Sequence, residues 1–479
     1  MARHATKIVA TLGPASSDPA LLEAMIRAGV NVVRLNFSHG KAQDHIDRAH
    51  LVREAAARAG REVAIMADLQ GPKIRVGKFA EGSTLLENGS TFVLDARCAE
   101  GCGERVGLDY PELVEDVKAG DTLLLDDGKI VMQVRKVVNS EIFCEVKVGG
   151  VLKNRKGINK LGGGLSAPAL TSKDMEDIRT AVAFEADYIA VSFPKSALDI
   201  ELARTLVKKA GGAASIIAKI ERAEAIEALA SIIEASDAIM VARGDLGVEV
   251  GDAAVPGLQK RMIRMARAHN KQVITATQMM ESMISSPIPT RAEVSDVANA
   301  VLDGTDAVML SAETASGQYP LETVEAVHRV VIEAEKEYFS AYHAQKLDQV
   351  FIKTDEAVAA AAIYTAQHLK VKAIAALTQS GNAAQWLSRA DAEVPIYALS
   401  PDKFARRKLT LHRGVYPYPI NQADKNKEEI LQEMEQVLLQ QRAVVSGDLV
   451  LLTFGEPIGS PGGTNTLKII KIGENRPIV

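Results

Sequence analysis

Apolar runs of strand length alternate with amphipathic helical segments along most of this chain, and nearly every run ends in a polar or charged residue. Runs at 7–12, 31–35 and 62–67 come first; those at 187–191, 215–220, 238–241, 272–276 and 306–309 follow after a long gap. Between them lie segments such as 18–28, where Leu21, Leu22, Met25 and Ile26 recur at helical spacing. Eight strand–helix units of parallel type point to a closed (β/α)8 barrel, in which chemistry collects where strands run into the following loops. Thr11, Arg34, Asp68, Lys219, Arg243, Thr277 and Ser311 stand at those ends. A doubly wound open sheet also fits the alternation, but it would not gather chemistry at the ends of so many strands.

The gap is itself informative. Over about 76–167 the helical period disappears, and glycine, valine and alternating patterns take over, with Asp127-Gly128 between apolar runs as a hairpin signal. Turn-prone Gly71-Pro72 and Ala167-Pro168 flank this stretch and suit a hinge. Beyond Tyr338 a further α/β pattern begins, with a helix at 355–369 and strands at 371–377, 395–399 and 448–453. The fold class is therefore α/β: a (β/α)8 TIM barrel over 1–72 and 169–340, a small all-β domain inserted at 73–168, and a C-terminal α/β domain over 341–479.

Composition excludes more than it identifies. The net charge of -5 argues against a duplex nucleic-acid binder. Cys98, Cys102 and Cys144 make no paired framework and lack the spacing of a four-ligand zinc site, which fits a reducing compartment. The N-terminus enters a strand pattern almost at once, leaving no room for a signal peptide, and no apolar stretch is long enough to cross a bilayer. A cytoplasmic protein bound to no membrane and no nucleic acid is expected.

The chemistry concentrates in 217–246. One strand closes Ile217-Ala218-Lys219-Ile220-Glu221, and the next closes Met240-Val241-Ala242-Arg243-Gly244-Asp245-Leu246. Charges of both signs at buried strand ends are costly to desolvate and persist where something binds them. Glu221 and Asp245 are suitable oxygen ligands for Mg²⁺, which takes one or two protein carboxylates and leaves other positions to water or phosphate oxygens. Lys219 beside them would neutralise an anion that the metal also touches, so the set describes a site for a phosphorylated acid. Alone, a Lys and a Glu two apart on a strand fit a salt-bridged rim equally well.

No Gly-x4-Gly-Lys-Ser/Thr occurs, and no Gly-x-Gly-x-x-Gly follows a strand and opens a helix, so any phosphate chemistry falls to the barrel mouth. There Arg34, Arg75, Lys219 and Arg243 supply cations, Glu221 and Asp245 metal ligands, and Asn36, Ser38 and Asp68 further oxygens. Phosphoryl transfer depends on positioning and charge neutralisation, which this set can provide.

Several long motifs then carry a family resemblance. Arg34-Leu-Asn-Phe-Ser-His-Gly40, Ile217-Ala-Lys-Ile-Glu221, Ala242-Arg-Gly-Asp-Leu-Gly-Val-Glu249, Thr275-Ala-Thr-Gln-Met-Met-Glu-Ser-Met283, Pro289-Thr-Arg-Ala-Glu293 and Leu310-Ser-Ala-Glu-Thr-Ala315 resemble the pyruvate kinase family across the whole chain. The resemblance implies transfer of the phosphoryl group of phosphoenolpyruvate to ADP, giving pyruvate and ATP. Lys219 would stabilise the transferring group, Arg34 would contact the phosphate, and Glu221 and Asp245 would hold Mg²⁺, with a second Mg²⁺ arriving with the nucleotide. Gly244 and Asp245 would meet the substrate carboxylate through their backbone, and Thr277 would lie beside the enolate. Thr277 and Ser311 are both candidates for relaying the proton through water. Asn36, Phe37, Ser38, His39, Arg75 and Lys156, the last in Asn154-Arg-Lys-Gly-Ile-Asn159 of the inserted domain, match nucleotide-contacting positions.

Two departures matter. Members that require K⁺ commonly read Asp-Thr-Lys-Gly-Pro-Glu where this chain reads Asp68-Leu69-Gln70-Gly71-Pro72-Lys73. The ammonium of Lys73 would take the place and charge of K⁺, so independence of K⁺ is expected, with Asn36, Ser38, Asp68 and Leu69 as the former monovalent-cation site, holding Lys73 or a residual ion. In the C-terminal domain, Thr378, Ser380, Gly381 and Asn382, with the glycine-rich stretch at 455–463, resemble the family's effector site. No basic side chain specialised for a bisphosphate is evident there, which favours a sugar monophosphate or AMP. The resemblance further implies a homotetramer. A metal-dependent aldolase or lyase of pyruvate enolates, which would need no nucleotide lid, and a non-catalytic metabolite-sensing barrel, which would have lost Lys219 or a metal ligand, are the competing readings.

Overall fold

The computed structural model of the chain describes residues 3–341, 351–423, 425–458 and 463–474. Eight parallel strands close a barrel: β1 (Lys7–Thr11), β2 (Val30–Asn36), β3 (Ala64–Asp68), β4 (Tyr188–Val191), β5 (Ser215–Ile220), β6 (Ala238–Ala242), β7 (Gln272–Ala276) and β8 (Ala307–Leu310). They run in chain order around the wall until β8 pairs with β1, Lys7 opposite Ala307 and Ala10 opposite Leu310. Strand residues face two cores in alternation. Val9, Val32, Met66, Ile217, Met240 and Ile274 fill the interior, while Ile8, Val33, Ile65, Ala218, Ile239 and Val273 pack outward against the helices. Each large aliphatic side chain buried in this way contributes about 1.5–3 kcal/mol.

Helix starts are set locally. Asp18 accepts from the Leu21 N–H ahead of Pro19, and Thr171 and Asp174 form a capping box at the first helix after the insertion. Between β3 and that helix, six short strands form one sheet, with Thr122–Leu125, Ile130–Val138, Glu141–Val148 and Thr91–Asp95 antiparallel in sequence and Ile158–Lys160 and Arg105–Val106 at its edges. Ser83–Leu86 and Gly150–Lys153 make a separate two-stranded ribbon. The turn at Asp126, Asp127 and Gly128, all with positive φ, joins two of these strands as the Asp-Gly signal requires.

The C-terminal unit carries a five-stranded sheet in the order β11 (Val415–Pro419), β10 (Ile396–Ser400), β9 (Ala373–Leu377), β12 (Leu449–Gly455), β13 (Thr464–Lys471), parallel except for β13. It seats on the N-terminal end of the barrel. Leu411 joins the barrel interior, Tyr188 donates to the Lys408 carbonyl at 2.6 Å, and Lys7 donates to the Val415 carbonyl at 2.6 Å. That end is plugged, which leaves the other for ligands. No helix among the described residues is long and apolar enough to cross a membrane.

Candidate active site

The C-terminal ends of β2, β3, β4 and β5 converge on one buried ion-pair network. Asp68, the last residue of β3 and 1 % exposed, receives Arg34 Nε at 2.6 Å through Oδ2 and lies 3.2 Å from Lys219 Nζ through Oδ1. Lys219 also lies 2.9 Å from Glu221 Oε1 and donates to Ser192 Oγ at 2.7 Å. Glu221 accepts the Phe193 N–H through its other oxygen at 2.9 Å. Arg34 reaches Thr11 Oγ1 at 3.1 Å, so β1 helps to orient it.

The electrostatics follow from this closeness. Burial alone would lower the Lys219 pKa, but Asp68 and Glu221 more than reverse it and hold the ammonium well above the ordinary lysine range. Burial would raise Asp68, yet Lys219 and Arg34 hold it below its usual value. For Glu221 burial wins, aided by the charge of Asp245, and its carboxyl is raised despite Lys219. Two acids close enough to repel, one of them almost fully buried, form a pair that a divalent cation would relieve. Glu221 and Asp245 therefore fit Mg²⁺. Among the described residues no three His, Cys, Asp or Glu gather as a candidate metal cage.

Asp245 sits in the first turn of the helix Arg243–Val250 that follows β6, and its Oδ1 lies 3.2 Å from Lys73 Nζ. This corrects the expected placement of Lys73 among Asn36, Ser38 and Asp68. Asp68 is taken by Arg34 and Lys219, Asn36 Oδ1 accepts the Ser38 N–H at 3.0 Å, and the Leu69 carbonyl accepts from Ser192 Oγ at 2.7 Å. Lys73 pairs with Asp245 instead.

Arg243 also departs from expectation. It is bidentate to Asp296 at 2.7 Å through each nitrogen and donates to the Thr277 carbonyl at 2.6 Å, so it braces the end of β7 rather than offering a free cation to the mouth. That brace holds a strained residue: Thr277 has φ +71°, unusual for a β-branched side chain. Its hydroxyl donates to the Ala276 carbonyl at 2.7 Å and accepts the Gly244 N–H at 2.9 Å. The Gly244 N–H is thus already engaged, and a substrate carboxylate would have to take it from Thr277. Ser311 follows β8 half-buried, its N–H donating to Glu313 at 2.6 Å.

The nucleotide positions separate. Ser38 and Asn36 are half-buried at the rim and His39 is exposed, but the Phe37 ring is buried and stacked on His45 with centroids 4.0 Å apart. The Phe37 carbonyl accepts Lys173 Nζ, so this residue presents no free side chain to a nucleotide. Arg75 lies on the segment that leads from β3 into the inserted strands, its N–H held by Asp109 at 2.6 Å. Lys156 stays within the inserted unit, 2.7 Å from Asp126. In the C-terminal unit, Thr378, Ser380 and Asn382 line a cleft with Asp355, Gln422, Gly455 and Gly463; Gly381, φ +96°, caps the helix Asn382–Arg389 and donates to Thr378 Oγ1 at 2.9 Å. No lysine or arginine lines this cleft among the described residues. Residues 459–462 of the expected glycine-rich stretch lie outside the described residues.

Sequence reasoning missed Ser192. It is the polar residue that follows β4, and the rule applied to the other strand ends would have found it.

Comparison with known proteins agrees with this geometry. The family described as "Pyruvate kinase, barrel domain" matches residues 3–324, and "Pyruvate kinase, alpha/beta domain" matches residues 356–470. The chain is 53% identical over 473 residues to pyruvate kinase II of Salmonella typhimurium, with 98% of each chain covered. It is 52% identical over 457 residues to a pyruvate kinase of Haemophilus influenzae, covering 94% of this chain and 95% of that one. To a pyruvate kinase of Methylorubrum extorquens it is 42% identical over 466 residues, covering 97% and 96%.

Proposed function

The chain belongs to the pyruvate kinase family, and on that premise we propose that it transfers the phosphoryl group of phosphoenolpyruvate to ADP, giving pyruvate and ATP. The observation that carries the reading is the Lys219 ammonium, held between Asp68 and Glu221 at the open end of the barrel beside Asp245. Pyruvate formation followed by a coupled lactate dehydrogenase assay, with and without ADP, tests it. Pyruvate release from phosphoenolpyruvate that is independent of ADP would overturn it.

The roles follow from charge and place. Lys219 and Arg34 neutralise the phosphoryl oxygens while the bond to the enol oxygen breaks and the bond to ADP forms. Glu221 and Asp245 would hold Mg²⁺, which would supply further positive charge against the developing anion, and a second Mg²⁺ would come with ADP. Asp245 and Gly244 orient the substrate carboxylate through backbone N–H groups. The enolate carbon left behind takes a proton delivered through water along Thr277 and Ser311. Asn36, Ser38, His39 and Arg75 receive ADP at the rim, and Lys156 joins them when the inserted unit closes over the mouth and excludes water. A homotetramer, working in the cytoplasm, is part of the same reading.

Potassium is not required on this reading, because Lys73 brings a fixed positive charge to the rim where K⁺-requiring relatives carry a glutamate. Adding K⁺ to enzyme assayed in tetramethylammonium buffer is expected to change kcat/KM less than twofold; activation of about tenfold, which is about 1.4 kcal/mol, would reject the idea.

The cleft at Thr378, Ser380, Gly381 and Asn382 is the proposed effector site. A monoanionic or dianionic phosphate fits a helix N-terminus without lysine or arginine better than a bisphosphate does. A sugar monophosphate or AMP is expected to activate the enzyme, and Ser380→Asp to abolish the response by placing a carboxylate where the phosphate would sit. Titration of activity with each compound checks this, and an unchanged response in the variant would remove the site.

A further inference from the structure

Lys73 has a second consequence, which rests on the assignment of Glu221 and Asp245 to the metal. Every carboxylate of the rim faces a cation: Arg34 and Lys219 face Asp68, Lys219 also faces Glu221, and Lys73 faces Asp245 at 3.2 Å. Mg²⁺ coordinated by Asp245 would bring two positive charges to an oxygen that already holds an ammonium. Two like-charged cations at one carboxylate repel, so each weakens the binding of the other, and Lys73, less buried than Lys219, is the one free to move. The lysine is tethered but flexible, and an arriving phosphate offers its ammonium another anion.

The lysine is also placed to report on the inserted unit. It lies on the segment that leaves β3 for that unit. Arg75 forms an antiparallel bridge with Gly157, and the Asp126 N–H donates to the Gly157 carbonyl at 3.1 Å. A Cβ added to Gly157 would come 3.3 Å from Lys73 Cε, so the lysine stem runs directly beneath that glycine. One side chain thus touches the backbone of the inserted unit at its stem and a metal-assigned carboxylate at its tip.

We propose that Lys73 is an internal cation competing with the divalent metal for Asp245, and that substrate phosphate draws it away, making metal and phosphoenolpyruvate bind cooperatively. A glutamate at position 73 could not act in this way, since it would add to the metal's attraction instead of opposing it.

Direct binding of Mn²⁺ to the full-length protein, followed by the electron paramagnetic resonance of the free ion, reads this without turnover. The titrations are made in tetramethylammonium buffer, with and without phosphoenolpyruvate and without nucleotide. Lys73→Met is expected to tighten Mn²⁺ binding to the substrate-free enzyme by about tenfold, and to shrink the enhancement of Mn²⁺ affinity by phosphoenolpyruvate by a similar factor. Lys73→Arg should keep both wild-type values, and Lys73→Gln replaces the methionine variant should that one fail to fold. Unchanged Mn²⁺ affinity and unchanged enhancement in the neutral variants would overturn the competition. Glu221→Gln and Asp245→Asn separate this from the underlying assignment: if neither weakens Mn²⁺ binding, the metal site itself is wrong, whereas weakening there with no effect at Lys73 removes the competition alone.

Discussion

Replacing Lys219 with methionine is expected to lower kcat for phosphoryl transfer by about 10³-fold or more, while phosphoenolpyruvate binding remains measurable. Two effects combine. The moving phosphoryl group loses the ammonium closest to it, and a single preorganised donor is worth roughly 3–4 kcal/mol of barrier in a water-excluded site. Asp68 and Glu221 also lose the cation between them, although Arg34 at 2.6 Å still serves Asp68. Methionine matches the lysine stem in volume, so packing against the strand is retained and the loss reports on charge. Lys219→Arg is not a conservative rescue, because a planar fork cannot sit at once 3.2 Å from Asp68, 2.9 Å from Glu221 and 2.7 Å from Ser192. Steady-state kinetics with circular dichroism of the same preparation checks the expectation; a folded Lys219→Met enzyme within tenfold of wild type would remove this lysine from the chemistry.

How much of this was legible beforehand depended on whether a feature is local. The eight barrel strands are nearly continuous apolar runs because both faces are buried, so each announces itself, and its last polar residue marks the rim. The outer strands of the C-terminal sheet did not. Val415-Tyr-Pro-Tyr-Pro419 contains two prolines that cannot donate to a ladder, which reads as a loop and is tolerated at the edge position β11 occupies. Thr464–Lys471 is likewise an edge, partly exposed and rich in polar residues. In the site, residue types at strand ends could be read, but pairings across long separations could not. Arg243 was counted as a mouth cation because nothing near it in sequence reveals Asp296, 53 residues away. Lys73 was placed among Asn36, Ser38 and Asp68 from the family motif and its charge, but Arg34 and Lys219 already pair with Asp68 and Lys73 pairs with Asp245 instead. Phe37 lies within a motif full of ligand-facing residues, but just past the end of β2 its ring packs outward onto His45 of the following helix.

The largest stability loss is expected at the other end of the barrel, at Asp306. Its carboxylate receives the Arg389 guanidinium through both oxygens and also accepts the Val273 N–H at 2.9 Å; Asp306 is fully buried and Arg389 is 4 % exposed. Asp306→Asn keeps the shape but takes from a buried guanidinium the carboxylate that it meets through both oxygens, and breaking such a buried pair costs up to about 3–5 kcal/mol. Arg389→Met removes the charge along with its partner, so Asp306→Asn combined with Arg389→Met should recover much of that loss, and the cycle of single and double variants measures the pair itself. Thermal unfolding and proteolysis between the barrel and the C-terminal unit are the readouts, and a single Asp306→Asn variant with unchanged melting would show that the pair contributes nothing. The position gives the prediction a functional edge. Arg389 ends the helix whose first turn lines the proposed effector cleft, while Asp306 and Val273 stand at the entrances of β8 and β7, the strands that lead to Ser311 and Thr277. An effector that shifts this helix can act on the mouth only through groups that grip both units, and this ion pair is one of them. The folded double variant should therefore respond to phosphate effectors more weakly than wild type while retaining basal turnover.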